Sequence, residues 1–480
     1  MPPDWLETGE ATPVWSTDSK PPTPHPEYHS RIRWVVLFLS CWIMFGNYYA
    51  FDNPSALNRP LRGLLAPPGD EVLFQDRLSL LYSLYSVPNV VLPFFVGRLL
   101  DRLGSRAILL LLSFLVAAGQ FLVACGLQSG NFGLMVGGRM LFGVGGESLA
   151  VAQSRLVTQW FAGKELALAI GLNLSIARVG TVVNNILSPI VAEHWSVPAA
   201  FWVGFFSCLL SLCCTVATIV VDRCYHHFHS DHEHIHKQSS SRRRAANSDF
   251  DHGFWVLATI CFLFYVHLPL GVSLTRYFGG NLVDANLAMS IPDTLAMVLV
   301  PLLGIYVDRH GKRISLIMCG AVAFAVGHAM LGMGSQKVVA FLALSVLGFA
   351  YSTLLCFWAC VPAVVRHARH STAYGILTSA CNLAVTLIPL AVAPIISTDA
   401  SYGSCGLFFA ALGATAVGLV LVLGALNLRH HLGLECPSAR LRPAISLSAP
   451  LPVLSDPASS RSSTPSVVDS LIVDIPPGTF

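Results

Sequence analysis

The sequence predicts an all-α membrane protein whose helices fall into two groups of six. Of its 480 residues, 54% are hydrophobic and only 11% are charged, whereas an average soluble domain is about 25% charged. Apolar runs of roughly twenty residues, long enough to cross a hydrocarbon core of about 30 Å, recur along the chain. A charged loop sequence also occurs once in each group. These three observations indicate a polytopic protein embedded in the lipid bilayer.

Twelve apolar windows are predicted as transmembrane helices, with a polar segment between the sixth and the seventh. They lie near 33–52, 78–100, 105–127, 131–157, 165–191, 197–221, 253–275, 284–307, 312–334, 338–362, 371–397 and 404–428. A long polar lead rich in proline precedes the first window, which has no small-residue cleavage site. We therefore interpret it as a retained helix and not as a signal peptide.

The spans divide the chain into two predicted bundles joined by a polar linker. The predicted segments are a disordered tail (1–30), a six-helix bundle (31–222), a linker rich in His and Arg (223–252), a second six-helix bundle (253–429) and a second disordered tail (430–480). Lys and Arg accumulate in alternate loops, which predicts that both termini are cytosolic. The His-rich tract of the linker is able to bind zinc, but a solvated linker is the favoured interpretation.

Composition and motifs argue against several classes of function. The net charge of +3 is too small for a nucleic-acid-binding protein, which has to offset many phosphates. The thirteen cysteines form no CxxC pair, so neither a disulfide framework nor a metal site is predicted. The chain contains no HExxH, GxSxG or nucleotide-binding loop. We therefore expect neither an enzyme nor a bound cofactor.

A ten-residue pattern recurs in the same loop of both groups of spans. The chain reads GRLLDRLGSR at 97–106 and GIYVDRHGKR at 304–313. Glycine lets two helices approach closely, and an Asp carboxylate can cap a helix end, so the pattern suits a sliding gate. The predicted gating residues are Gly97, Asp101, Arg102, Gly104 and Arg106 in the first copy and Gly304, Asp308, Arg309, Gly311 and Arg313 in the second.

This repeated pattern resembles the loop signature of the major facilitator superfamily. Arg139 followed by Gly143 resembles a second motif of that superfamily, and the resemblance covers about residues 31–430. It implies two six-helix bundles related as repeats, with a substrate site between them near the midplane of the membrane.

Glu147 and Arg178 lie deep within predicted spans, where a charge costs about 2.5–3.5 kcal/mol at a helix centre. Glu147 lies sixteen residues before Gly163, the predicted turn between spans four and five, and Arg178 lies fifteen residues after it. At 1.5 Å per residue, the two residues have matching depths and can be neighbours. Either they pair with each other, or they face a cavity and bind the two ends of a zwitterion.

Several stretches resemble one branch of the superfamily, the lysosomal dipeptide uniporters. They are FDNPSAL (51–57), LLYSLYSVPNVV (80–91), FGVGGESLAVAQ (142–153), GKELALAIGLNLSIARVG (163–180) and TAYG (372–375). The resemblance implies that the protein moves dipeptides across the lysosomal membrane. It also implies that an acidic residue binds the amino end of the dipeptide and that an arginine binds its carboxyl end. Those roles fall on Glu147 and Arg178. It also implies a glycosylated single-span accessory protein as a partner.

Further residues are candidates for the cavity wall, although packing is an equal alternative for each. They are Tyr82, Tyr85 and Asn89 in the second span and Tyr351, Trp358 and Asn382 in the second bundle. Asp293 and His267 depart from the charge pattern expected of the branch. Either each lies near a helix end or a water-filled cleft, or they face the cavity, where Asp293 would favour cationic side chains or, with His267, carry a proton.

Two other functions remain open on the sequence. One is a proton-coupled carrier of amino acids or other organic anions, although the ExxER run of proton-coupled peptide carriers is missing from the first span. The other is a nutrient sensor that keeps the fold without transporting anything.

Overall fold

Sixteen α-helices make up most of the part of the chain that the structure describes. The computed structural model describes residues 31–67, 70–161, 165–229, 250–265, 282–334, 336–398, 403–430 and 432–438. We call α1–α9 the N-terminal half and α10–α16 the C-terminal half. The helices are α1 (Ile32–Phe51), α2 (Asn53–Ala56), α3 (Asn58–Leu65), α4 (Glu71–Asn89), α5 (Leu92–Leu103), α6 (Ser105–Gln128), α7 (Phe132–Phe161), α8 (Leu166–His194), α9 (Val197–His229), α10 (His252–Phe264), α11 (Leu282–His310), α12 (Arg313–Met333), α13 (Lys337–Ser352), α14 (Leu355–Val364), α15 (His370–Thr398) and α16 (Gly403–His430).

These helices confirm the predicted membrane fold. Among the described residues, ten spans are long and apolar enough to cross a membrane, with α13 and α14 counted as one, and α4 and α5 form an eleventh. The shorter apolar helix α10 occupies the position predicted for the seventh span. Large apolar side chains, such as Phe38, Phe114 and Phe206, remain exposed along the outer surface. Lipid would cover such chains, which would be a liability on a soluble protein.

A break in the second span has a local cause. Pro88 lies within the last turn of α4, where it cannot donate a backbone hydrogen bond, and α5 starts again with Pro93 in its first turn. The two helices meet at an angle of 43°. The span is therefore bent just before the first copy of the repeated loop.

Two predicted boundaries differ from the structure. Helix α9 continues to His229, seven residues into the predicted linker. The segment 432–438, predicted as part of a disordered tail, instead packs against the start of α12. The reason is that the Arg313 side chain is buried and needs oxygen acceptors, which this segment supplies.

Some predictions fall on residues that the structure does not describe. These are the tail at 1–30, the linker over 230–249, the remaining C-terminal residues 439–480, His267 and the turn residue Gly163. The described ends of that turn, Phe161 and Leu166, do place a short connection between spans four and five.

Candidate functional site

A cavity of about 260 Å³ lies between the two halves. Its walls come from α1, α4, α7 and α8 on one side and from α13, α14 and α15 on the other, with Tyr265 at the end of α10 completing them. Of the described residues that line it, Glu147 alone carries a formal charge. Four tyrosines and a tryptophan supply most of the large surface, namely Tyr48, Tyr85, Tyr265, Tyr351 and Trp358.

Glu147 is presented to the cavity from the middle of α7. The Tyr85 hydroxyl donates a hydrogen bond of 3.1 Å to the Glu147 carboxylate. Two glycines beside Glu147 are needed because the chain of α4 packs closely there: a Cβ on Gly143 would lie 2.8 Å from the Tyr85 Cα, and one on Gly146 would lie 2.8 Å from the Tyr85 hydroxyl oxygen. The small residues therefore let Tyr85 reach the carboxylate.

Arg178 of α8 is not among the residues that line this cavity, but it lies against one of them. Its guanidinium carbon lies 4.2 Å from the centre of the Tyr351 ring, and that ring lines the cavity. Its Nη1 atom donates to the Asp293 carboxylate of α11 at 2.5 Å, an ion pair between the two halves. Arg178 therefore pairs with Asp293 and not with Glu147. Tyr48 lies close enough to both Glu147 and Arg178 to interact with each electrostatically.

The structure brings four of the other six predicted wall residues to the cavity. Tyr85, Tyr351, Trp358 and Asn382 all line it. Tyr82 and Asn89 do not: Tyr82 lies with its ring 5.3 Å from the Arg139 guanidinium carbon, and Asn89 is buried and donates to the Tyr85 carbonyl at 2.8 Å. Neither expectation matches the structure, because the Tyr82 ring packs on Arg139 and the Asn89 amide bonds within its own helix.

Sequence reasoning missed several wall residues. Tyr48 and Tyr265 stand in apolar runs in which nothing distinguishes a tyrosine on the cavity from one in the core. Gln153 of α7 and Asn173 of α8 also line the cavity and are hydrogen-bonded to each other, while Gln153 donates to the Ser40 carbonyl at 3.2 Å. The placement of Asn173 inside a predicted span was the one available signal.

The first copy of the repeated loop contacts the opposite half. Asp101, near the end of α5, accepts hydrogen bonds from the Ser371 amide at 3.1 Å, the Thr372 amide at 2.9 Å and the Thr372 hydroxyl at 2.6 Å. These donors form the first turn of α15, whose unpaired amides and positive dipole end favour a carboxylate. Asp101 therefore caps a helix of the other half.

The second copy makes the equivalent contact in the opposite direction. Asp308, near the end of α11, accepts from the amides of Ala167 and Leu168 at 3.0 and 2.8 Å, in the first turn of α8. We call the side of the molecule that carries Asp101 and Asp308 the motif-loop side. On that side Arg155 of α7 also donates to the His367 carbonyl at 2.9 Å. The two halves are thus joined there by matched contacts.

The glycines of the repeat make these contacts possible. A Cβ on Gly97 would lie 3.0 Å from the Thr372 Cα, and one on Gly304 would lie 2.8 Å from the Leu168 Cα. Gly104 and Gly311 adopt positive φ angles of 84° and 75°, a conformation that side-chain-bearing residues rarely take.

The arginines of the repeat separate into two kinds. Arg102 and Arg309 are exposed. Arg106 forms an ion pair with Asp222 of α9, within its own half. Arg313, at the matching position, is buried and donates instead to the Cys436 carbonyl and the Ser438 hydroxyl, both at 2.7 Å. The segment after α16 therefore takes the place that Asp222 holds in the N-terminal half.

Arg139 stabilises the packing of helices and does not lie on the cavity wall. It is fully buried and donates to the Phe51 carbonyl at 2.9 Å, at the end of α1. Its guanidinium also lies over the rings of Phe51, Tyr82, Tyr85 and Phe142. A cation at a helix C-terminus is favoured by the dipole, so Arg139 ties α1 to α7.

Two repeated helical halves around a central cavity define the fold of a membrane transporter. The chain belongs to the Major Facilitator Superfamily, whose family model matches residues 73–389. This confirms the predicted fold class and the resemblance that led to it.

Named relatives cover most of the chain. The lysosomal dipeptide transporter MFSD1 of Homo sapiens is 34% identical over 437 residues, which are 87% of this chain and 90% of the relative. The protein of the same name from Danio rerio is 32% identical over 428 residues, 86% of this chain and 90% of the relative. The chain is therefore a relative of these dipeptide transporters over nearly its whole transmembrane region.

Solved structures share the fold at low identity. A double Trp mutant of XylE superimposes with a TM-score of 0.68 at 15% identity, over 82% of this chain and 95% of the other. The human organic anion transporter MFSD10 gives a TM-score of 0.61 at 15% identity, over 82% of this chain and all of the other. At such identities the similarity shows the fold alone.

Proposed function

We propose that the protein carries dipeptides across the lysosomal membrane by alternating access, as a uniporter. The observation that carries this proposal is the placement of a carboxylate, Glu147, on the cavity wall and of a guanidinium, Arg178, against the cavity-lining ring of Tyr351. The named relatives, which are dipeptide transporters, support the cargo and the membrane.

The two charges suit the two ends of a zwitterion. The Glu147 carboxylate, oriented by the Tyr85 hydroxyl, is an acceptor for an ammonium group. Arg178 presents a planar fork that matches a carboxylate, and the Tyr351 ring holds that fork in place. Because the two groups have different partners, a ligand does not have to break a direct bond between them.

The size and chemistry of the cavity favour small cargo. At about 260 Å³ it lies just below the usual range of ligand pockets, which is about 300–1,000 Å³. Aromatic rings and amide side chains such as Asn382 and Gln153 supply apolar contact together with hydrogen bonds to a peptide unit.

Transport requires the contacts on the motif-loop side to break and re-form. We propose that this side is cytosolic, as are both termini, and that Asp101 and Asp308 hold it closed while the cavity loads from the lumen. Their matched caps on α15 and α8 give each half the same means of closure. Separation of the two helix pairs would then release cargo to the cytosol.

We also propose an accessory glycosylated membrane protein as a partner. The chain has one NxS/T triplet in which the middle residue is not proline, at Asn173. Asn173 is buried in α8 and donates to the Ala169 carbonyl at 3.1 Å, so it is inaccessible to glycosylation. A carrier without its own glycans would depend on a partner for protection from lumenal proteases.

Uptake of labelled Ala-Ala into proteoliposomes tests the cargo and the two anchors. We expect Glu147→Gln to weaken uptake about 30-fold or more, because removing one member of a buried charged contact commonly costs 2–5 kcal/mol. The matched control is Glu193→Gln, which removes an exposed carboxylate near the far end of α8. N-acetyl-Ala-Ala, which lacks the ammonium group, should bind weakly to the unaltered protein and lose little in the variant.

Three outcomes would contradict the proposal. Undiminished uptake by both Glu147→Gln and Arg178→Lys would show that these two residues do not bind the ends of the dipeptide. Uptake of free alanine equal to that of Ala-Ala would show that the protein does not prefer dipeptides. Charge movement that follows an imposed pH gradient would favour the proton-coupled alternative.

A further inference from the structure

The Arg178–Asp293 ion pair connects the two halves at the cavity. Arg178 belongs to α8 and Asp293 to α11, and their side chains are 2.5 Å apart. The two members differ in environment: the side chain of Arg178 is 18% exposed, whereas that of Asp293 is 60% exposed. The arginine is thus the more buried member of the pair, and the aspartate is the more exposed one.

We propose that Asp293 is an internal competitor for the cargo carboxylate, which occupies Arg178 in the empty carrier and yields it when cargo binds. This inference rests on the proposed function, because it concerns the same arginine. It assigns a specificity role to Asp293: only cargo with a free carboxylate can replace it.

The geometry supports an exchange of partners at a stationary guanidinium. The Tyr351 ring, 4.2 Å from the guanidinium carbon, keeps Arg178 in position whichever carboxylate it holds. End-on bidentate capture of a cargo carboxylate uses both terminal nitrogens, including the Nη1 atom that now holds Asp293. In that geometry the two carboxylates exclude each other. Release of the Asp293 side chain needs little rearrangement of its neighbours, because most of that side chain is already exposed.

The position of the pair connects cargo binding to movement. Helices α8 and α11 are also joined on the motif-loop side, where Asp308 caps the first turn of α8. Asp293 precedes Asp308 by fifteen residues, about 22 Å along α11. Helices α8 and α11 are thus joined by two contacts, one at the cavity and one on the motif-loop side. Cargo with a carboxylate would break the contact at the cavity.

Binding of dipeptides and dipeptide amides to the purified full chain in nanodiscs tests the inference. We expect Asp293→Asn to lower the dissociation constant for Ala-Ala about two- to fivefold, the range for a partly exposed ion pair. Ala-Ala amide, which has no carboxylate, should bind equally to both proteins. Asp293→Glu, which keeps the competing charge, should resemble the unaltered protein, and Glu193→Gln serves as the control for loss of an exposed carboxylate.

A transport measurement separates competition from a purely structural role. If Asp293 ties the empty carrier, exchange of Ala-Ala across the membrane should be faster than net uptake, and Asp293→Asn should reduce that ratio. The inference is overturned if Asp293→Asn binds Ala-Ala no more tightly, or if it improves amide binding equally. If the unaltered protein binds no dipeptide while Asp293→Asn does, the inference stands and the proposed function fails.

Discussion

The Asp101 contact allows a quantitative prediction about closure of the motif-loop side. Its carboxylate accepts three hydrogen bonds in the first turn of α15 and is supplied by the opposite half. Loss of a helix cap costs about 1–2 kcal/mol, and loss of a charge at a helix N-terminus costs about 0.5 kcal/mol more. Asp101→Ala should therefore weaken the contact by about 2 kcal/mol, which corresponds to about a 30-fold change in the opening equilibrium.

Amide hydrogen exchange measured by mass spectrometry reports that change directly. In Asp101→Ala, the amides of Ser371 and Thr372 should exchange about 30 times faster, because exchange follows the open population. The matched variant Asp308→Ala should have its main effect on the first turn of α8 instead. Asp70→Ala is the control, since Asp70 caps α4 within one half through the Leu73 amide at 3.0 Å.

The control distinguishes closure between the halves from ordinary helix capping. Asp70→Ala should accelerate exchange at the start of α4 and leave α15 and α8 unchanged. Unaltered protection of Ser371 and Thr372 in Asp101→Ala would refute the reasoning. So would equal loss of protection in α15 when Asp70 is replaced.

Two further perturbations test packing on the motif-loop side. Gly97→Val should reduce dipeptide uptake at least fivefold, because its Cβ would lie 3.0 Å from the Thr372 Cα and such overpacking costs about 1–3 kcal/mol. The control is Gly137→Val, whose Cβ would have no atom within 4 Å. Equal uptake by the two variants would contradict this prediction. Truncation after residue 431 should lower the melting temperature, because the buried Arg313 loses its acceptors at a cost of about 2–3 kcal/mol. Truncation after residue 438 keeps those acceptors, so a matching loss of stability there would show that the segment does not act through Arg313.

Hydropathy predicted the membrane fold because lipid requires a long run of apolar residues for every span. The same reasoning placed Glu147 and Arg178 at matching depths, since the rise per residue of a helix is fixed. It failed for Tyr82, which packs on Arg139, and for Asn89, which bonds within its own helix. The rotation of a helix about its own axis depends on its neighbours, which an apolar sequence does not reveal.

The partners of the charged residues required the tertiary structure. The repeated loop identified Asp101 and Asp308 as a pair, but the helix that each one caps belongs to the other half, more than 100 residues away in sequence. Arg178 likewise finds Asp293 across the two halves. A repeat is a local property that can be read along one chain, whereas an ion pair between two halves depends on how those halves pack. The sequence by itself therefore determined the spans, their repeat and the charged residues, and only the packing of the halves decided which charges meet.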